Sequence, residues 1–174
     1  MTPPLVVWTA RLAAGCWLVR WLVEVHHNRR AGSSAGRALP RVALLWWTAG
    51  CGFHLAHVAA AYHWVHDWSH AAAWEHTAQR TAALTGVHWG GGVWLNDLFT
   101  LLWPLDVVRL WVERSTGRTA CPTAIVRGWH VFSLAMLISA TVIFGPFGWR
   151  VIALLAVLLW WHLRRRSRAA APLS

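Results

Sequence analysis

The chain has 174 residues, about one domain's worth, of which 57% are hydrophobic and only 13% charged, roughly half the usual ~25% of soluble domains. Its formal charge is +10 with arginine as the only basic residue besides histidine. These arginines separate apolar runs rather than lining one helix face, and neither a zinc-finger spacing nor an RNA-binding aromatic motif occurs, which excludes nucleic acid as the partner. Three cysteines, Cys16, Cys51 and Cys121, cannot all pair, and two fall inside apolar runs, which excludes a disulfide framework.

A membrane crossing needs ~20 mostly apolar residues for about 30 Å of hydrocarbon. The first candidate, 5–25, is the weakest, because it carries Arg11, Arg20 and Glu24. Arg20 and Glu24 stand four apart and can pair on one helix face. No basic residue precedes this run and Arg11 and Arg20 interrupt it, so it does not read as a signal peptide. The second candidate, 42–65, is strong, and the third covers 87–108. The block 129–163 is too long for one crossing and holds GPFGW at 145–149, a Gly-Pro turn signal. Split there, it gives spans at 129–145 and 147–163.

The arginines support the split. Arg29, Arg30, Arg37 and Arg41 lie between spans one and two, Arg114, Arg118 and Arg127 between three and four, and Arg164, Arg165, Arg166 and Arg168 in the tail. Five spans with the N-terminus outside and the C-terminus inside bring all three groups to the cytoplasmic face, as the positive-inside rule asks. The sequence therefore predicts an all-α integral membrane bundle, a single transmembrane domain of about five helices. Tryptophans near the predicted ends, among them Trp46, Trp47, Trp64, Trp68, Trp89 and Trp111, read as the interfacial aromatic belt. Between spans two and three, Asp67 or Ser69 offers an N-cap and Gly86 a stop, which predicts a surface helix over 70–84 on the outer side.

Histidine is the unusual component. HLAHVAAAYHWVHDWSH, residues 54–70, holds five. His54 and His57 lie three apart near the middle of the second span, and Asn96 and Asp97 fall at the middle of the third. Ionisable groups at such depth are costly and mark a cavity or a partner. His54, His57 and Asp97 are thus candidate metal ligands at the midplane, with Asn96 and Cys51 as further polar neighbours. His63, His66, His70, His76 and His88 form a second candidate at the outer rim. With Asp67 and Glu75, these are ligand types that suit zinc, copper or iron. A polar rim without metal and a pH sensor are the competing readings. Asp106 and Arg109, three apart, suggest an ion pair. Gly90 to Gly92 suggest close approach of a neighbouring helix.

The run from His57 to Trp111 resembles the core of small His- and Trp-rich integral membrane proteins of planctomycete-type bacteria. The shared features are Trp68, Ser69, His70, Ala72, His76, Thr77 and Ala78, then the glycines, Asn96, and the Trp103 to Asp106 step. The resemblance covers about a third of the chain and implies a membrane protein, with no activity attached. Membrane di-iron enzymes are a poor match, since HDWSH supplies one HxxxH (His66, His70) and no HxxHH box occurs. A haem b held between spans would need a partner for His57 at the same depth.

Three functions follow as expectations: metal or haem binding at the midplane site, a proton-relay or transport component, and a structural or assembly subunit of a membrane complex. The expected location is a bacterial inner membrane, multi-pass, with the lipid bilayer as partner. A pore would need a homo-oligomer or a second subunit. Whether the protein is an enzyme does not follow from these residues.

Overall fold

The computed structural model describes residues 3–30, 39–119, 121–143, 145, 147, 148, 150–152, 154, 155 and 158, with backbone alone at 28–30. Every regular element among them is helical: α1 Pro4–Arg30, α2 Arg41–Trp64, α3 His70–Thr85, α4 Gly92–Thr116 and α5 Thr123–Ile138, the last running into a π turn at Ser139–Ile143. The chain divides into two compact units, residues 1–123 and 124–174. The first holds α1 to α4. The second holds α5, where the Thr141 hydroxyl donates to Leu137 O at 2.6 Å in the π turn.

Three helices are long and apolar enough to cross a membrane: Pro4–His27, Arg41–Trp64 and Thr123–Ile143. The segment that reads as weakest in the sequence is among them. The third expected span is not, because Asn96, Asp97, Asp106, Arg109 and Glu113 dilute the apolar content of α4. Its start also differs from expectation. Residues 87–90 are not helical and α4 begins at Gly92. A Cβ at Gly90 would collide with the carbonyl oxygen and indole ring of Trp74 on α3, so these glycines serve a tight crossing before the helix starts. The fourth span begins six residues early, at Thr123 rather than 129. The fifth, 147–163, falls largely outside the described residues.

In the first unit, α1 and α2 form an antiparallel hairpin. On α1 the buried residues are Val6, Thr9, Ala13, Ala14, Cys16 and Arg20, a three-four spacing that keeps one seam toward a partner helix. They pack on α2, whose buried residues are Ala43, Leu44, Trp47, Gly50, Cys51, His54 and Ala60. Small residues set the closeness: a Cβ at Gly50 would lie 3.1 Å from both Cys16 Cβ and the Trp103 ring. Backbones approach this way where packing and hydrogen bonds, rather than hydrophobic exclusion of water, hold helices together. α4 runs antiparallel to α2, as the pairs His54–Thr100, Trp47–Asp106 and Arg114–Leu39 O establish.

Local chemistry bounds α3. The Ser69 hydroxyl accepts from Ala72 N at 3.2 Å, an N-cap bond. Gly86 closes the helix at φ 77°, and its N–H donates to Ala82 O, a left-handed stop that costs glycine nothing. The corner before it is strained: Asp67 and Trp68 both have positive φ, at 47° and 58°, a region that side chains bulkier than Asn or Asp seldom adopt. Gly90→Ala should push Trp74 away and loosen α3 from α4. The expected result is roughly tenfold faster hydrogen exchange of the α3 amides, with α1 and α2 unchanged.

Candidate functional site

His54 is 93% buried, since only 7% of its surface is exposed. Its Nε2 lies 3.0 Å from the Thr100 hydroxyl of α4. That hydroxyl spends its own hydrogen on Asn96 O at 2.7 Å. The oxygen is therefore an acceptor toward His54, whose Nε2 carries the proton while Nδ1 keeps its lone pair. Aromatic rings surround the imidazole, with Phe99 edge-on at 5.0 Å and Trp103 stacked at 5.4 Å. His57 turns toward α1 instead, its Nδ1 2.9 Å from Val6 O. A carbonyl only accepts, so Nδ1 donates and Nε2 is the nitrogen with a free lone pair.

The structure does not bring Asp97 to these histidines. Its carboxylate accepts from His70 Nε2 at 2.9 Å, joining the second turn of α4 to the start of α3. The cause is the late start of α4: with Gly92 as its first residue, Asp97 sits close to the helix end that meets α3. Thr100, one turn further in, takes the place beside His54. Asn96 contributes its backbone oxygen, and Cys51 is buried in the α1–α2 seam. The rings of His54 and His57 are 6.5 Å apart.

At the outer histidines the partners are varied. His88 Nε2 lies 3.2 Å from Glu75 Oε1, which also accepts from Gln79 at 2.9 Å. These two bonds, the Gln79 one first, hold the Glu75 carboxyl below its ordinary value. His63 is exposed and packs edge-on against Trp64 at 4.7 Å. His66 and His76 meet edge to face, with ring centroids 5.3 Å apart. Partial burial, and then the charge of His76, push His66 below the usual imidazole range. Among the described residues, no three His, Cys, Asp or Glu side chains converge on a point that could hold a metal ion.

A further polar centre, at the opposite end of the α1–α2–α4 packing, is visible to sequence reasoning only in pieces. Trp47, with no exposed surface, donates from Nε1 to Asp106 Oδ2 at 2.8 Å. Asp106 Oδ1 accepts from Arg109 Nε and Nη2 at 3.0 and 2.7 Å, and Arg109 Nη1 reaches Glu113 at 2.9 Å. From α1, the Arg20 guanidinium lies 4.5 Å over the Trp47 ring and pairs with Glu24 at 3.4 Å. Two of the three ion pairs within single helices, Arg20–Glu24 and Asp106–Arg109, follow from spacing. Their union through Trp47 does not, since a tryptophan near a span end reads as an interface anchor. The available signal was Arg20 and Asp106 themselves, charges in apolar runs that need internal partners. Trp46, Trp64, Trp68, Trp89 and Trp94, by contrast, are exposed.

Compared with known proteins, the chain matches no protein-family model, and neither a curated protein nor a solved structure is similar to it.

Proposed function

We propose that the chain is a multi-pass membrane protein with five crossings, N-terminus outside and C-terminus inside, acting as a structural or assembly subunit. One observation carries this reading: four polar side chains in the α1–α2–α4 packing make bonds from one helix to another. His57 ties α2 to α1, His54 and Trp47 tie α2 to α4, and Trp111 Nε1 donates to Thr48 at 3.1 Å across the same pair. The apolar face of α4 supports membrane placement, with Trp94, Leu101, Leu105 and Val108 each at least 60% exposed, as a lipid-facing or partner-facing surface requires. A proton path is less favoured, because the bond sequence from His54 through Thr100 ends on the Asn96 carbonyl, which has no proton to pass on.

A second reading, metal or haem binding, is favoured by His57. Metal-bound imidazoles usually donate their other N–H to a carbonyl or carboxylate, and His57 does so to Val6 O with Nε2 left over. The test is metal content by mass spectrometry on untagged protein in detergent, wild type beside His54→Ala/His57→Ala. The structural reading expects the same metal content in wild type and variant, and a variant destabilised by about 2 kcal/mol, from two lost bonds and the cavity. About one iron, copper or zinc per chain, lost in the variant, would replace it with the second reading.

A further inference from the structure

His66 and His76 differ from the other paired histidines. His54, His57, His70 and His88 each have a hydrogen-bond partner. The rings of His66 and His76 instead meet each other edge to face, with centroids 5.3 Å apart and planes at 69°. They come from different elements: His66 from the turn after α2, His76 from the second turn of α3.

We propose that His66 and His76 form a surface site for one divalent transition metal ion of the zinc or copper(II) class. The separation of the rings is the deciding quantity. With a metal–nitrogen bond of about 2.0–2.1 Å and about 1.1 Å from nitrogen to ring centre, each centroid stands about 3.2 Å from a bound ion. A tetrahedral angle then places two centroids about 5.2 Å apart, against the 5.3 Å observed. The same arithmetic allows at most about 6.4 Å, for two rings in line. His54 and His57, at 6.5 Å, stand at that extreme, where the two rings would have to lie in line across the ion, so the outer pair suits a shared ion better than the inner one. Imidazole is a preferred ligand of both metals, and water completes the coordination at this half-exposed site.

The pair is held ready for an ion. The corner between α2 and α3 is tied by His66 N to Ala61 O at 3.2 Å, Trp68 N to Tyr62 O at 2.9 Å and Ser69 N to His66 O at 2.7 Å. The Tyr62 ring packs edge-on to His66 at 5.9 Å. The left-handed backbone of Asp67 and Trp68 makes this tight reversal, and strain of that kind collects at binding sites. A bound ion would staple the first half of α3 to the end of α2.

The test uses the full-length, untagged protein in detergent, stripped with a chelator and titrated with zinc(II) by calorimetry. The expected result is one equivalent bound, with affinity falling at least tenfold in both His66→Gln and His76→Gln and unchanged in His63→Gln. Absence of saturable binding, or equal affinity in the His66 and His76 variants, would overturn the site. Copper(II) electron paramagnetic resonance on the wild type guards against a misfolded variant. Hyperfine splitting from two imidazole nitrogens supports the site, and any other nitrogen count refutes it. The outcome is independent of the His54→Ala/His57→Ala result.

Discussion

Trp47→Ala should cost about 4 kcal/mol of unfolding free energy, the largest loss expected from any single truncation in the first unit. Its side chain is fully buried and touches all three packed helices. Its ring carries the Arg20 guanidinium at 4.5 Å, packs at a tilt of 37° against Trp103 at a centroid distance of 4.6 Å, and donates to Asp106. Removing it leaves a cavity, a buried guanidinium without its aromatic surface, and a carboxylate short of one donor. Trp47→Phe separates these effects. It keeps a ring under Arg20 but loses the indole N–H, and should cost about 2 kcal/mol, as for a hydrogen bond to a charged group. Reversible unfolding in mixed detergent micelles measures both. A loss below about 1 kcal/mol for Trp47→Ala would mean that the α1–α2–α4 centre is not the stabilising core of this unit.

The second large effect belongs to Asp106→Ala, with an expected loss of about 3 kcal/mol, in the range for breaking a buried ion pair by deleting one partner. Asp106 is 7% exposed and accepts from Trp47 and twice from Arg109. The loss stays near the lower end of that range because Arg109 retains Glu113 and Arg20 retains Glu24. Asp106→Asn preserves an acceptor for Trp47 and should recover about half of the loss. Trp47→Phe and Asp106→Ala each remove the bond between the two side chains, so their double variant should be less destabilised than the sum of the two, by about 1 kcal/mol. Strict additivity would show that the Trp47–Asp106 bond contributes nothing.

The elements whose position the sequence states most plainly are those governed by local chemistry. Ser69 and Gly86 mark the ends of α3 because a hydroxyl beside free amides and a residue tolerant of positive φ act within a few residues of themselves. The helical nature of α1, α2 and α5 follows from the length of their apolar runs, and the pairs Arg20–Glu24 and Asp106–Arg109 from helical spacing. The start of α4 is different. Gly90 to Gly92 announce a close approach, but only the position of Trp74 reveals that the approach lies before the helix rather than within it.

That displacement of a few residues is what redistributed the histidine partners. Depth counted along an assumed span put Asp97 beside His54 and His57, whereas the late start of α4 gives Asp97 to His70 and Thr100 to His54. Periodicity records which residues share a face, not which face a neighbouring helix presents or at what height. Composition and the length of the apolar runs therefore determine by themselves the helices of the described residues, three of them long and apolar enough to cross a membrane, while tertiary structure alone decides which buried polar groups meet. A hydrogen bond is made or lost within a few tenths of an ångström, but a helix start shifted by five residues moves a side chain about 7.5 Å along the axis.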